Sequence, residues 1–185
     1  IYGPYEADVG RFVDLAKNDF IGRAAAAREQ ADGPRLKRVT FVVDAIDNVK
    51  AKLNLLARCV ERKLPVVSSM GAAGRLDPTA VRVSDLCDTH TDQFAKDVRK
   101  YLKVKYGIDT TSPTGIAAVW SVEKCADPVE LAWDENGFLC VCPHKDNGKH
   151  TCDHRTQING SVAFVTSVFG MTAASVVVRS IAAGR

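Results

Sequence analysis

Nowhere in its 185 residues does the sequence carry a glycine-rich loop of the G-x-G-x-x-G kind. Such a loop joins a strand to a helix and cradles phosphates with its backbone N–H groups. These residues therefore do not supply that cradle. Gly71-Ala-Ala-Gly74 comes closest, but its spacing differs, and Asp77-Pro78 just beyond it prevents a helix from starting there. There is no secretory signal, no internal repeat and no low-complexity tract beyond one alanine-rich run. Charge of one sign is scarcely in excess. Lys and Arg number 25 against 22 Asp and Glu, a net +3 that permits a nucleic-acid partner without arguing for one. A basic stripe at residues 96–105 is the better candidate, and a solvated helix face explains it equally well.

Long hydrophobic runs are nearly absent as well. Residues 160–178 lack charge, but they include Gly160, Ser161, Thr166, Ser167, Gly170, Thr172 and Ser175, with no aromatic belt or basic flank. That composition predicts a buried helix of a soluble protein and no membrane association. Six cysteines do not make a secreted scaffold. Cys59, Cys87 and Cys125 are scattered, whereas Cys140, Cys142 and Cys152 cluster with His144, His150 and His154. The cluster points to a metal or thiol site in a reducing, cytoplasmic setting, with a mitochondrial location as the alternative.

What is present reads as α/β. Ala, Arg, Glu and Gln over residues 24–31 predict a helix, with Asp19 as its N-cap and Gly33-Pro34 as its stop. The β-branched run 39–43 predicts a strand buried on both faces. Val49, Leu53, Leu56, Val60 and Leu64 then mark one apolar helix face, and residues 66–69 begin a second strand. Strand, helix, strand at this length is a parallel βαβ unit. Strands at 79–83, 116–122 and 138–141 and a helix at 92–106 complete the prediction. Because the first strand lacks a covering half, the region before it is expected to pack loosely.

Asp44 and Asp47 fall at the carboxyl end of the first strand, where open α/β sheets bind ligands. Asp47 suits Mg²⁺ on a triphosphate, and it equally suits a helix cap. For the Cys/His cluster three readings stay open: zinc, functional free thiols, or a Cys140–Cys152 disulfide. Its Cys-x-Cys spacing is tighter than zinc sites usually show.

Val42-Val-Asp-Ala-Ile-Asp-Asn48, Pro65-Val-Val-Ser-Ser-Met-Gly-Ala-Ala-Gly-Arg-Leu-Asp-Pro78, residues 89–103 and residues 160–170 together resemble the tRNA threonylcarbamoyladenosine dehydratases. These belong to the ubiquitin-activating-like, ThiF-type adenylating superfamily. The resemblance implies an incomplete ThiF-type Rossmann-like mixed sheet with helices on both faces, preceded by a short helix-plus-strand segment. It also implies ATP-dependent cyclisation of threonylcarbamoyladenosine in tRNA, with ATP and Mg²⁺ required. Asp47 matches the family's metal–ATP aspartate, with Asp44 and Asn48 as further nucleotide-binding positions. Charge alone suggests Arg99 and Lys103 as tRNA contacts. Cys140 and Cys152 match cysteines of the family's C-terminal lobe, and the additional Cys142 and His154 strengthen the zinc option. The family's phosphate-binding first half has no counterpart here, so the chain is expected to be impaired alone and to act as a homodimer or with a full-length homologue. A non-catalytic tRNA- or partner-binding remnant is the alternative.

Residues 1–43 resemble instead the C-terminal region of folate-dependent aminomethyltransferases, through Pro4 to Val13, Lys17 to Arg23 and Gly33 to Val39. The expected division is an aminomethyltransferase-like fragment at 1–38 and the back half of an adenylating domain at 39–185. A folate-linked activity is the least favoured reading, because most of that fold has no match.

Overall fold

A computed structural model of the chain describes residues 4–6, 9–17, 20–33, 39–127 and 160–183. The chain divides into two compact units, Ile1–Thr40 and Phe41–Arg185.

The first unit contains one 3-10 turn, Gly10–Phe12, and helix α1, Arg23–Asp32. Gly22 and Gly33 bracket α1 with φ values of +90° and +80°, a region that favours glycine. The expected cap Asp19 lies outside the described residues. Arg23 holds the approach to the helix, donating to the carbonyls of Leu15 and Lys17 at 2.9 and 3.1 Å. Within α1 only Ala26 is buried. Its alanines present too little apolar volume to bury more.

The second unit is built on strands β1 (Val42–Asp44), β2 (Val66–Ser69), β3 (Val81–Asp85) and β4 (Ile116–Ser121). Their order is β1-β2-β4-β3, with β1, β2 and β4 parallel and β3 antiparallel to β4. This is the mixed α/β sheet expected. Helices α2 (Val49–Glu61) and α3 (Gln93–Tyr106) cover one face, and α4 (Ala163–Ala182) covers the other. Alternation along each strand separates the two layers. Val66, Ile116, Ala118 and Trp120 pack against Leu53, Leu56, Val98 and Leu102. Val67 and Val119 face Val165, Phe169 and Ala173.

The helix ends follow from local chemistry. Asn48 caps α2, its side chain accepting from the Ala51 N–H at 3.0 Å. Asp92 caps α3 through the Ala95 N–H, and Gly107, at φ +67°, closes it. Asn48→Ala should lower unfolding free energy by about 1 kcal/mol, visible as an earlier urea midpoint.

Two expectations are corrected. The first strand is not buried on both faces: Val43 is 56% exposed. The reason is that α4 packs mainly on β2, β4 and β3 and leaves the Val43 side of β1 open, while Val42 packs against the core on the other face. The C-terminal helix is likewise not fully buried. Only the line Val165, Phe169 and Ala173 is buried, at i, i+4 and i+8, whereas Phe164, Met171, Val178 and Ile181 are exposed. Among the described residues α4 is the one helix long and apolar enough to cross a membrane, and 17% of its apolar window is buried.

Candidate functional site

A cavity of about 550 Å³ opens beyond the carboxyl ends of the parallel strands. Ala45, Ile46 and Asp47 line it after β1, Ser69 to Ala73 after β2, and Gln93 and Phe94 from the first turn of α3. Helices α2 and α3 both begin at this end of the sheet, and their N-termini favour anions there.

The three nucleotide-site candidates take different roles. Asp47 is exposed in the cavity wall, and among the described residues its carboxylate makes no hydrogen bond or ion pair. Asn48 uses its side chain as the α2 cap. Asp44 is buried at 1% exposure and does not line the cavity. Its carboxylate meets Lys52 Nζ at 2.5 Å and Ser68 Oγ at 2.5 Å, and it accepts from the Ile46 N–H at 3.0 Å. The βα turn that presents Asp47 is thus tied down by Asp44. An exposed carboxylate with no hydrogen bond or ion pair among the described residues, on a fixed turn, fits Mg²⁺, which takes one or two carboxylates plus phosphate oxygens.

Three polar groups on the cavity side escaped sequence reasoning. Lys52 is fully buried. Burial pushes its pKa below the ordinary 10.5, and the adjacent Asp44 pulls in the opposite direction. Its signal was a lysine set among Val49, Leu53 and Leu56 on an apolar helix face. Arg75 and Asp92, both about 3% exposed, form an ion pair at 3.4 Å. Asp92 also accepts from the Gly71 N–H at 3.2 Å, and Arg75 donates to the carbonyls of Gly71 and Glu123. Together they clamp the small-residue loop to the start of α3. A Cβ at Gly71 would make that approach tight, meeting Asp92 and Phe94 atoms at 3.3 Å. Nothing local in the sequence links Arg75 to Asp92.

The two basic candidates on α3 also differ. Arg99 is half-buried and donates to the Thr89 hydroxyl and carbonyl and to the Leu86 carbonyl. It anchors α3 to the preceding loop. Lys103 is exposed and shares a helix face with Lys96 and Lys100, at spacings of four and three.

Cys140, Cys142, Cys152 and His154 lie outside the described residues. Among the described residues no group of three His, Cys, Asp or Glu side chains could hold a metal. Cys59, Cys87 and Cys125 are free thiols. Burial and the neighbouring carboxylates of Asp85 and Asp88 push the Cys87 thiol up to about 11. Iodoacetamide should therefore modify Cys87 slowly near neutral pH, with a rate rising roughly tenfold per pH unit as the thiolate forms. Peptide mapping of the adduct against pH reads this directly.

No protein-family model matches the chain. Curated relatives do. The chain is 33% identical over 138 residues to the tRNA threonylcarbamoyladenosine dehydratase of Escherichia coli, covering 74% of this chain and 49% of that protein. It is 30% identical over 142 residues to the Haemophilus influenzae protein of the same name, covering 75% and 49%. Tested as a structure, it superposes on E. coli tRNA N6-threonylcarbamoyladenosine dehydratase in complex with AMP with a TM-score of 0.58 and 28% identity, covering 90% of this chain and 56% of that one. The complex of that enzyme with ATP gives 0.59 at 25% identity, covering 91% and 67%. The resemblance of the later segments to the tRNA threonylcarbamoyladenosine dehydratases is borne out, and none of these relatives supports the aminomethyltransferase resemblance of residues 1–43. The chain spans about half the length of the curated relatives it matches.

Proposed function

We propose that this chain, a relative of the tRNA threonylcarbamoyladenosine dehydratases over about half their length, forms the metal-facing wall of an ATP site and serves ATP-dependent cyclisation of threonylcarbamoyladenosine in tRNA. The observation that carries this reading is the exposed carboxylate of Asp47, unbonded among the described residues, in a cavity at the strand ends. Solved relatives in complex with AMP and ATP support it. Mg²⁺ held by Asp47 would neutralise charge on the phosphate oxygens. The chain's own part is to orient that carboxylate through the Asp44-anchored turn and to wall one side of the cavity with Met70, Gly71 and Phe94. In the reaction the substrate carboxylate attacks the α-phosphorus, pyrophosphate leaves, and ring closure then expels AMP.

On the exposed face of α3, Lys96, Lys100 and Lys103 suit the tRNA backbone, with the Arg99 anchor holding that helix in register. We assign the protein to the cytoplasm on this function. The 185 residues hold no phosphate-cradling loop, so by themselves they should bind ATP weakly and turn over poorly. Pairing with a full-length homologue would supply that loop, whereas a homodimer of these residues would not. The exposed apolar residues of α4 favour a second reading, a non-catalytic partner-binding chain.

The test is to incubate the chain with MgATP and tRNA bearing threonylcarbamoyladenosine, with and without a full-length relative made inactive at its own metal aspartate. Cyclised nucleoside and AMP should form in the mixture and depend on Asp47 of this chain. Their absence from every mixture would favour the non-catalytic reading.

A further inference from the structure

Lys52 sits directly behind the cavity wall, and its Nζ donates to three acceptors: Asp44 Oδ2 at 2.5 Å, Ser68 Oγ at 3.1 Å and the Ser69 carbonyl at 2.9 Å. An ammonium has three N–H groups, so each has a partner. The acceptors come from the end of β1 and the end of β2. Nζ also lies 5.7 Å from the centroid of the Phe94 ring, which brings in the start of α3. Ser69 and Phe94 line the cavity themselves. The remaining Asp44 oxygen accepts from the N–H of Ile46, the residue before Asp47. Residues 45–47 have no regular secondary structure, and this bond ties them to the strand end from below.

We propose that Lys52 is a positioning residue, which locks Asp44 so that the 45–47 turn presents Asp47 to the cavity. The role of Asp47 itself rests on the ATP reading above. A buried carboxylate freed of its cation would seek another partner or a proton, and the bond to the Ile46 N–H would no longer hold one geometry. A cation serving only overall stability would instead affect the whole unit evenly.

Amide hydrogen exchange on the full chain separates the two, comparing wild type, Lys52→Arg and Lys52→Met under conditions in which each is folded. Positioning predicts that Lys52→Met raises exchange at Ile46, whose N–H is bonded to Asp44, by about tenfold or more beyond any change at Leu53 and Leu56. Lys52→Arg should restore most of that protection. Where Lys52→Met does not fold, Ser68→Ala should give the same local signature, smaller, with the ion pair kept. Equal loss at residues 46, 53 and 56 overturns the proposal.

A double-mutant cycle with MgATP as probe adds the link to the site. Lys52→Met should weaken binding about fivefold or more when Asp47 is present, and leave it nearly unchanged on Asp47→Asn. Equal weakening on both backgrounds also overturns the proposal. If Asp47→Asn leaves MgATP binding intact, the ATP reading fails, and the exchange result still decides whether Lys52 orders the turn.

Discussion

Replacing Lys52 by Met should cost about 3–5 kcal/mol of unfolding free energy, because it leaves the Asp44 carboxylate buried without its cation. The two side chains are both 0% exposed and 2.5 Å apart. Water cannot reach Asp44 to replace the lost bond. A domain with about 5–15 kcal/mol in total would be brought close to its threshold. The double substitution Asp44→Leu with Lys52→Met should recover most of that loss, since an apolar pair of similar size removes both desolvation penalties. What would remain is the Ile46 N–H, the Ser68 hydroxyl and the Ser69 carbonyl, each stripped of its bond to the pair. Urea unfolding with linear extrapolation measures both variants. A loss below about 1 kcal/mol for the single variant would mean the pair behaves as a solvated one.

Asp47→Asn should behave in the opposite way: stability unchanged within about 0.5 kcal/mol, as for other exposed sites, and MgATP affinity down by roughly tenfold or more, which is about 1.4 kcal/mol of binding. The asymmetry follows from geometry. Asp47 is exposed and makes no hydrogen bond among the described residues, so its charge reaches the fold only through a weak, solvent-screened attraction to Lys52. An amide of the same shape offers Mg²⁺ a weaker neutral oxygen in place of a carboxylate. Titration of wild type and variant in parallel, with free Mg²⁺ held constant, gives the ratio directly. Two aspartates three residues apart thus separate into one that holds the turn and one that the turn presents.

The periodic elements were legible because their signals are local. Val49, Leu53, Leu56 and Val60 lie on one apolar stripe, and α2 runs Val49–Glu61 beneath it. The helix read at 92–106 is α3, which Asp92 caps and Gly107 closes. The small-residue loop was legible as a loop, and its role as a cavity rim required the fold. The helix 163–182 was read correctly as a helix and wrongly as buried, since composition reports apolarity and cannot say how many faces find a partner. The buried polar groups were the least legible. Lys52 bonds across 16 residues to Ser68, and Arg75 across 17 to Asp92, and neither distance leaves a trace in spacing. Asp44 was grouped with Asp47 because both end the same strand. The pleat sends Asp44 inward, toward Ser68, its partner in the β1–β2 register, and toward Lys52 of α2.

The account stands most directly on where nucleotide meets this chain. Amide chemical shifts followed through a MgATP titration should move at residues 45–47, 69–73 and 93–94, with an apparent Kd of roughly 1 mM or weaker, since no phosphate-cradling loop adds to the affinity. The same titration on Asp47→Asn should show those shifts lost or displaced to higher concentration. Shifts confined to the outer face of α2, in the groove lined by Lys50, Asn54 and Arg58, with the cavity residues unmoved, would contradict it.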